Sequence, residues 1–322
     1  MFDIEKNIYE INSEKDFEKL SLEIYKFQSI HNSVYKSFIK QLNRSNPKTI
    51  KDIPFLPISF FKTHNIRTNT FEIEQTFKSS GTGGDRSRHL VEKIELYHKS
   101  FEITYRNQLG NPEEQVIIAL LPNYVSQGES SLIYMVDNLI KLTKNPISGY
   151  YLENKIEIEK AYNQALNENK KVVIFGVSYA LLDLAETGID LEKAIIIETG
   201  GMKGRRKELT KEKLHNELIK GLKVPYISSE YGMCELLSQS YSNKDGIFES
   251  PTWMKILVRE VNDPFNYVKD GKTGGINVID LANLYSCSFI STQDLGKTNA
   301  SQFQLMGRFD NSDIRGCNLL LS

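Results

Sequence analysis

Cysteine is scarce in this chain. Cys234, Cys287 and Cys317 make an odd number at wide spacings, which excludes a disulfide framework or a cysteine zinc cage and fits a reduced, cytoplasmic setting. Histidine is equally sparse: His31, His64, His89, His98 and His215 form no metal-ligand pair and no His-Glu-x-x-His motif. A charge excess is missing too. The 40 Lys and Arg face 41 Asp and Glu for a net charge of −1, which argues against a nucleic-acid-binding protein. Arg205–Lys223 is locally basic, the usual mark of a solvated helix face. The longest apolar runs, Val116–Leu121 and Val172–Val177, fall far short of the ~18 residues of a membrane span. Met1-Phe2-Asp3-Ile4-Glu5-Lys6 has no basic region followed by an apolar run, so no signal peptide is expected.

What remains is an ordinary globular balance, 40% hydrophobic and 25% charged, which speaks against wholesale disorder. At about 150 residues per domain, 322 residues predict about two domains. Ser13 can cap a helix with apolar positions at Phe17, Leu20, Ile24 and Phe27, and a second helix would hold Val34, Phe38 and Leu42. Pro54 and Pro57 break regular structure. The pattern then turns α/β. Val116–Leu121, Val172–Phe175, Ala194–Glu198 and Val224–Ser228 read as buried strands, with helices at about 130–142, 155–168, 178–187 and 210–220. Such alternation predicts a mostly parallel sheet flanked by helices. Trp253–Val261, Gly275–Leu281, Cys287–Thr292 and Phe303–Met306 predict a smaller β-rich subdomain. The expected division is therefore 1–248, N-terminal helices plus α/β core, and 249–322, β-rich subdomain and C-terminal tail.

Five segments have the residue types that chemistry needs. Ser79-Ser80-Gly81-Thr82-Gly83-Gly84 is small and hydroxyl-rich, as a backbone phosphate cradle must be, but lacks the Gly-Lys-Ser/Thr of a Walker loop; its plain alternative is a flexible turn. Glu198-Thr199-Gly200-Gly201 follows a strand, where close backbone approach to a flat ring is useful or a simple turn suffices. Ser229-Glu230-Tyr231-Gly232-Met233-Cys234-Glu235 offers a ring for stacking and a hard oxygen for Mg²⁺, or else a buried aromatic beside a helix-start carboxylate. Thr292-Gln293-Asp294 places an Asp at a strand end, to accept two ribose hydroxyls or to form an Asx turn leading to Gly296. Gly307-Arg308-Phe309-Asp310 brings an Arg to a turn.

Taken in order, these motifs resemble the adenylate-forming superfamily of acyl-CoA ligases. Within it, and with Ile-Pro-Phe-Leu-Pro-Ile-Ser-Phe-Phe-Lys at 53–62, the chain resembles the acyl-protein synthetase (LuxE-like) subunit of bacterial fatty acid reductase. The resemblance covers about residues 53 to 322. It implies the large domain of that fold and an ATP- and Mg²⁺-dependent activation of a carboxylic acid, a fatty acid in the first instance, to an acyl-adenylate. By the same resemblance Ser79, Ser80, Gly81, Thr82 and Gly83 would cradle the phosphates, and Gly200 and Gly201 would line the adenine site. Tyr231 would stack on adenine beside Gly232, Glu235 would hold Mg²⁺, Asp294 would bind ribose and Arg308 would support ribose or phosphate.

The chain departs from the superfamily pattern in four places. The loop ends in Gly84-Asp85-Arg86-Ser87-Arg88 instead of Thr-Gly-x-Pro-Lys, so Arg86 or Arg88 would have to supply the cation. Cys234 stands where a Thr is expected. The mobile C-terminal domain and its lysine are not expected after Ser322. Arg315-Gly316-Cys317-Asn318 replaces Arg-Gly-Val-Asn. Acyl-protein synthetases of this kind accept the acyl group on their own cysteine near the C-terminus, and Cys317 is the matching position; Arg315 would favour its thiolate. A reductase subunit or carrier protein would then receive the acyl group. An acyl- or aryl-CoA ligase using free CoA is the alternative enzyme, and a non-catalytic nucleotide or acyl-adenylate binding module the alternative of another class. Gly176-Val177-Ser178-Tyr179-Ala180 also lies near a hydrolase nucleophile elbow, although Ser178 reads more simply as a helix N-cap.

Overall fold

The computed structural model describes residues 2–80, 86–121, 128–151, 154–200, 206 and 209–309. Its contacts divide the chain into two compact units, Ile73–Pro251 and a discontinuous one made of Met1–Glu72 with Thr252–Ser322. The sequence reading had instead kept 1–248 together.

The discontinuous unit begins with α1 (Phe2–Ile8), α2 (Glu14–His31), α3 (Ser33–Gln41), β1 (Leu56–Pro57) and α4 (Phe60–Thr63). Ser13 caps α2 as expected, its side chain accepting from Asp16 N at 3.1 Å, and Phe17, Leu20 and Ile24 are buried. The face of α3 is turned by one residue from the expected one: Tyr35 and Ile39 are buried, while Val34, Phe38 and Leu42 are half-exposed. Polar anchoring decides this rotation. The Tyr35 hydroxyl donates to Pro54 O at 2.7 Å, and its ring stacks near Phe289.

Unit Ile73–Pro251 opens with a hairpin, β2 (Gln75–Lys78) and β3 (Arg88–Val91), then runs α5 (Ile94–Leu109), β4 (Gln115–Leu120), α6 (Ser131–Thr143), β5 (Gly149–Tyr150), α7 (Lys155–Asn167), β6 (Lys171–Val177), α8 (Ser178–Ala185), β7 (Ala194–Thr199), α9 (Lys211–Leu222), β8 (Ser228–Tyr231), β9 (Ser240–Ser242) and β10 (Ile247–Glu249). Within this unit the sheet order is β10-β9-β8-β7-β6-β4-β5. Strands β5, β4, β6, β7 and β8 are parallel, and β9 and β10 add antiparallel. The central strands are apolar because both faces are covered: Val172, Val173, Ile174 and Phe175 are 0% exposed. Each such side chain contributes about 1.5–3 kcal/mol on burial. The strand expected at Val224–Ser228 begins only at Ser228, since Pro225 has no N–H to give a ladder.

The chain then returns to the first unit as β11 (Met254–Arg259), β12 (Gly274–Asp280), β13 (Phe289–Asn299) and β14 (Gln302–Arg308), an antiparallel meander. Its attachment to the N-terminal helices is specific. Gln28 donates to Asn283 O and Leu284 O and accepts from Ser288 N, Asn32 donates to Ser286 O, and β1 pairs in parallel with β13. These buried bonds put residues 1–72 with the β-rich segment. No helix among the described residues is long and apolar enough to cross a membrane.

Candidate functional site

In unit Ile73–Pro251 the functional motifs lie on the hairpin and at the C-terminal ends of β7 and β8. Hairpin β2–β3 forms the base of the hydroxyl-rich loop. Ser79 N donates to Ser87 O at 3.1 Å, and Ser87 N donates back to Ser79 Oγ at 3.0 Å. Ser79 therefore uses its hydroxyl oxygen to close the loop's base and keeps its own proton to donate. Ser80 is exposed; Gly81, Thr82, Gly83 and Gly84 lie outside the described residues. Arg86 Nε donates to Ser79 O at 2.5 Å, and its guanidinium lies 3.5 Å from Glu129, which also pairs with Lys78. Arg88 is exposed on β3 opposite Lys78. Of the two arginines considered, Arg86 is thus the one held at the loop.

The hairpin is docked on the Tyr-Gly-Met-Cys-Glu segment. His89 is 0% exposed on β3, and its Nδ1 lies 2.8 Å from Cys234 O. Burial depresses its pKa to about 4, so the imidazole is neutral, and Nδ1–H donates to that carbonyl. A lone buried histidine gives no spacing signal, and only the fold shows what it joins.

Tyr231 ends β8 and is 6% exposed, its ring edge-to-face with Phe248 at 6.1 Å. Gly232 follows because a Cβ there would sit 2.2 Å from Glu230 Oε1. Glu235 is 5% exposed and lies in a turn closed by Leu236 N on Met233 O, not at the start of a helix. The Cys234 thiol is buried, and burial, with Glu235 beside it, holds its pKa far above the ordinary range. Cys287 is likewise buried, its pKa pushed up to about 12. Both stay protonated, which removes nucleophilicity. Among the described residues no three His, Cys, Asp or Glu cluster as a metal site. A single buried carboxylate fits Mg²⁺ that arrives on phosphates, because that ion keeps waters and needs few protein ligands.

Gly200 follows β7 with φ +70°, a left-handed turn that suits glycine; Gly201 lies outside the described residues. Ser178 is no N-cap. Val177 takes that position, and Ser178 Oγ lies 2.5 Å from Glu198 Oε1 and 2.9 Å from Gly200 O. The order of contacts also breaks the hydrolase reading. His215 meets Ser229, at 3.3 Å, while Ser178 meets a carboxylate. Within the basic stretch, Arg206 pairs with Asp183 and Glu186, Lys211 with Glu198 and Lys223 with Asp190.

In the discontinuous unit, Asp294 and Arg308 are cross-strand partners on β13 and β14. Arg308 Nε donates to Asp294 Oδ1 at 2.8 Å; the carboxylate is 9% exposed and the arginine 79%. Asp294 lies inside β13, so the Asx turn is absent. Gly296 continues the strand because a Cβ there would meet Gln304 O and Ile276 Cδ1 at 2.7 Å. Cys317 lies outside the described residues.

Three buried groups set a pH dependence. Burial lowers His89 and His215 from 6.5 to about 4 and raises Glu230 from 4.5 to about 7. Between pH 4.5 and 6.5 the unfolded chain binds two extra His protons and the native chain one extra Glu proton, a net of 2 − 1 = 1 on the unfolded side. These groups therefore make stability rise with pH across that window, by about 1.4 kcal/mol per unit. Between 6.5 and 7 Glu230 alone acts, and the sign reverses. Denaturant unfolding at a series of pH values is expected to show His89→Asn flattening the lower slope and Glu230→Gln steepening it. An unchanged slope in both variants would contradict the assignment.

A model of the LuxE acyl-protein synthetase family matches residues 7–322. The chain belongs to that family. The long-chain-fatty-acid–luciferin-component ligase of Aliivibrio fischeri is 24% identical to it over 300 residues, 87% of this chain and 78% of that protein. Among solved structures, ATP-bound MatB from Rhodopseudomonas palustris superposes with TM-score 0.55 at 16% identity, over 75% of this chain and 49% of that one. MenE from Bacillus subtilis with AMP gives 0.51 at 18% identity, over 75% and 50%. An open 2-hydroxyisobutyryl-CoA ligase holding 2-HIB-AMP and CoA gives 0.61 at 10% identity, over 92% and 76%. These likenesses establish the adenylate-forming ligase fold. This LuxE-family chain spans about half the length of the MatB and MenE chains.

Proposed function

We propose that the protein activates a fatty acid with ATP and Mg²⁺ and passes the acyl group to a protein thiol, first its own Cys317 and then a reductase subunit or carrier protein. The substrate carboxylate attacks the α-phosphorus and pyrophosphate leaves; the Cys317 thiolate then attacks the acyl carbonyl and AMP leaves. One observation supports this reading above the others: His89 fastens the hairpin bearing the hydroxyl-rich loop to the segment bearing Tyr231 and Glu235. Two motifs about 150 residues apart in the chain thereby serve one ligand. The Ser79 hydroxyl and the Ser80 N–H, with Arg86 as the cation, are assigned to the phosphates. Tyr231 and Gly200 serve adenine. Mg²⁺, when bound at Glu235, neutralises charge that builds on the phosphate oxygens. Asp294 is offered to ribose, with Arg308 supporting ribose or phosphate. Buried, protonated Cys234 and Cys287 are unfit as acyl acceptors, which favours Cys317.

Arg86→Ala is expected to raise the KM for ATP about tenfold, as loss of a charge-assisted contact does. The KM for the fatty acid should stay within about twofold. The reading as a whole is tested by ATP–pyrophosphate exchange: it requires exchange that depends on added fatty acid.

A further inference from the structure

Glu198 is 3% exposed, yet none of the roles above uses it. It stands at the C-terminal end of β7, level with Gly176 on β6 and Ser229 on β8. Its Oε1 lies 2.5 Å from Ser178 Oγ, just past the end of β6. Its Oε2 accepts from Ser229 at 3.2 Å and pairs with Lys211, the first residue of α9. The single Ser178 proton is shared between two acceptors, Glu198 Oε1 and Gly200 O at 2.9 Å, and Ser229 Oγ meets His215 Nε2. Thr199 and Glu230, the next residue of each strand, form their own bond at 2.6 Å on the opposite face. One buried carboxylate thus joins the ends of three adjacent parallel strands. Two of those ends lead into the Gly200 turn and the Tyr231 motif.

We propose that Glu198 is a positioning residue for nucleotide binding: it orients the Ser178 hydroxyl, whose one proton it shares with Gly200 O in a three-centre bond, through Ser229 it fixes the end of β8, and Lys211 is its counter-charge. The proposal rests on the adenylation reading. A buried hydrogen-bonded charge is tolerated only with a partner, so removing Lys211 alone should be worse than removing both charges. Glutamine at 198 would still accept from Ser178 through Oε1 and would donate to Ser229 Oγ, which would then donate to His215. The hydrogen-bonded frame survives without the charge pair.

The test measures ATP binding to the full chain by calorimetry, alongside exchange kinetics. Ser178→Ala is expected to weaken ATP about tenfold with the KM for fatty acid unchanged, the size of effect expected for a buried hydrogen bond. Lys211→Met should weaken ATP at least as much, and the double variant Glu198→Gln/Lys211→Met should recover to within about threefold of wild type. A folded Ser178→Ala protein with wild-type ATP affinity overturns the proposal, and so does a double variant no better than Lys211→Met. Wild-type protein that binds ATP without fatty-acid-dependent exchange overturns the adenylation reading, and the variants' ATP affinities still decide the role of Glu198. Wild-type protein that binds no ATP overturns both.

Discussion

Glu235→Ala is expected to lower fatty-acid-dependent ATP–pyrophosphate exchange by about 100- to 1,000-fold, the range seen when one preorganised electrostatic partner of a transition state is lost. Glu235 is 5% exposed, in a turn four residues after the end of β8, on the segment that His89 fastens to the β2–β3 hairpin. Among the described residues no cluster of three His, Cys, Asp or Glu offers an alternative site for the proposed Mg²⁺. The carboxylate is hard, anionic and held by backbone geometry, which is what Mg²⁺ on a triphosphate requires of a protein. Glu235→Gln should fall nearly as far, because an amide keeps the shape and loses the charge. Glu235→Asp should recover part of the rate, more at raised Mg²⁺. A folded Glu235→Ala protein with undiminished exchange would remove the residue from the metal's coordination.

Cys317→Ser is expected to abolish the covalent acyl adduct sought by intact mass after incubation with ATP, Mg²⁺ and mixed fatty acids, while leaving exchange within about twofold of wild type, because in the proposed order the thiol acts after adenylation. The two halves of the reaction are thereby separated. A serine hydroxyl is a far weaker nucleophile than a thiolate at neutral pH. The other two cysteines provide the control. Cys234 and Cys287 are buried and protonated, so Cys287→Ser should keep the adduct. Equal adducts in wild type and Cys317→Ser would place acylation elsewhere on the chain.

The parts of the fold that could be read from the sequence are those where burial is complete. Strands β4, β6 and β7 fall where the apolar runs lie because both sheet faces are covered, and helices α6 and α7 carry side-chain caps at Ser130 and Asn154. Helix α5 was not expected. Its buried stripe of Leu96, Tyr97, Phe101 and Tyr105 is aromatic and broken by His98 and Lys99, and Lys93 gives it no side-chain cap. Strand β13 runs well past the expected Thr292 because Gln293 and Lys297 lie on its more open side while the buried side continues through the polar Asp294 and Gly296, so no apolar alternation marks it. The compact units divide the chain differently from the expected 1–248 and 249–322, because bonds from Gln28 and Asn32 to residues 283–288 join partners more than 250 positions apart.

The candidate site divides in the same way. Tyr231, Gly232 and Glu235 were visible as a motif, and the fold puts them at the end of a parallel strand. His89 and Glu198 were not visible, because each is a single residue whose meaning lies entirely in what it touches. Ser178 was seen for the wrong reason. Its elbow-like context is real, with Gly176 packed so closely on Leu181 that a Cβ would come within 2.6 Å, but its hydroxyl serves Glu198 and Gly200.

Trapping the acyl-adenylate tests the proposed function most directly. Cys317→Ser protein, which lacks the proposed acceptor, would be incubated with α-labelled ATP, Mg²⁺ and a long-chain fatty acid, then quenched in acid and resolved by chromatography and mass. Labelled acyl-AMP is expected, formed with pyrophosphate and only when the fatty acid is present. Label found in ADP, or ATP left intact with every fatty acid supplied, would contradict the proposed function.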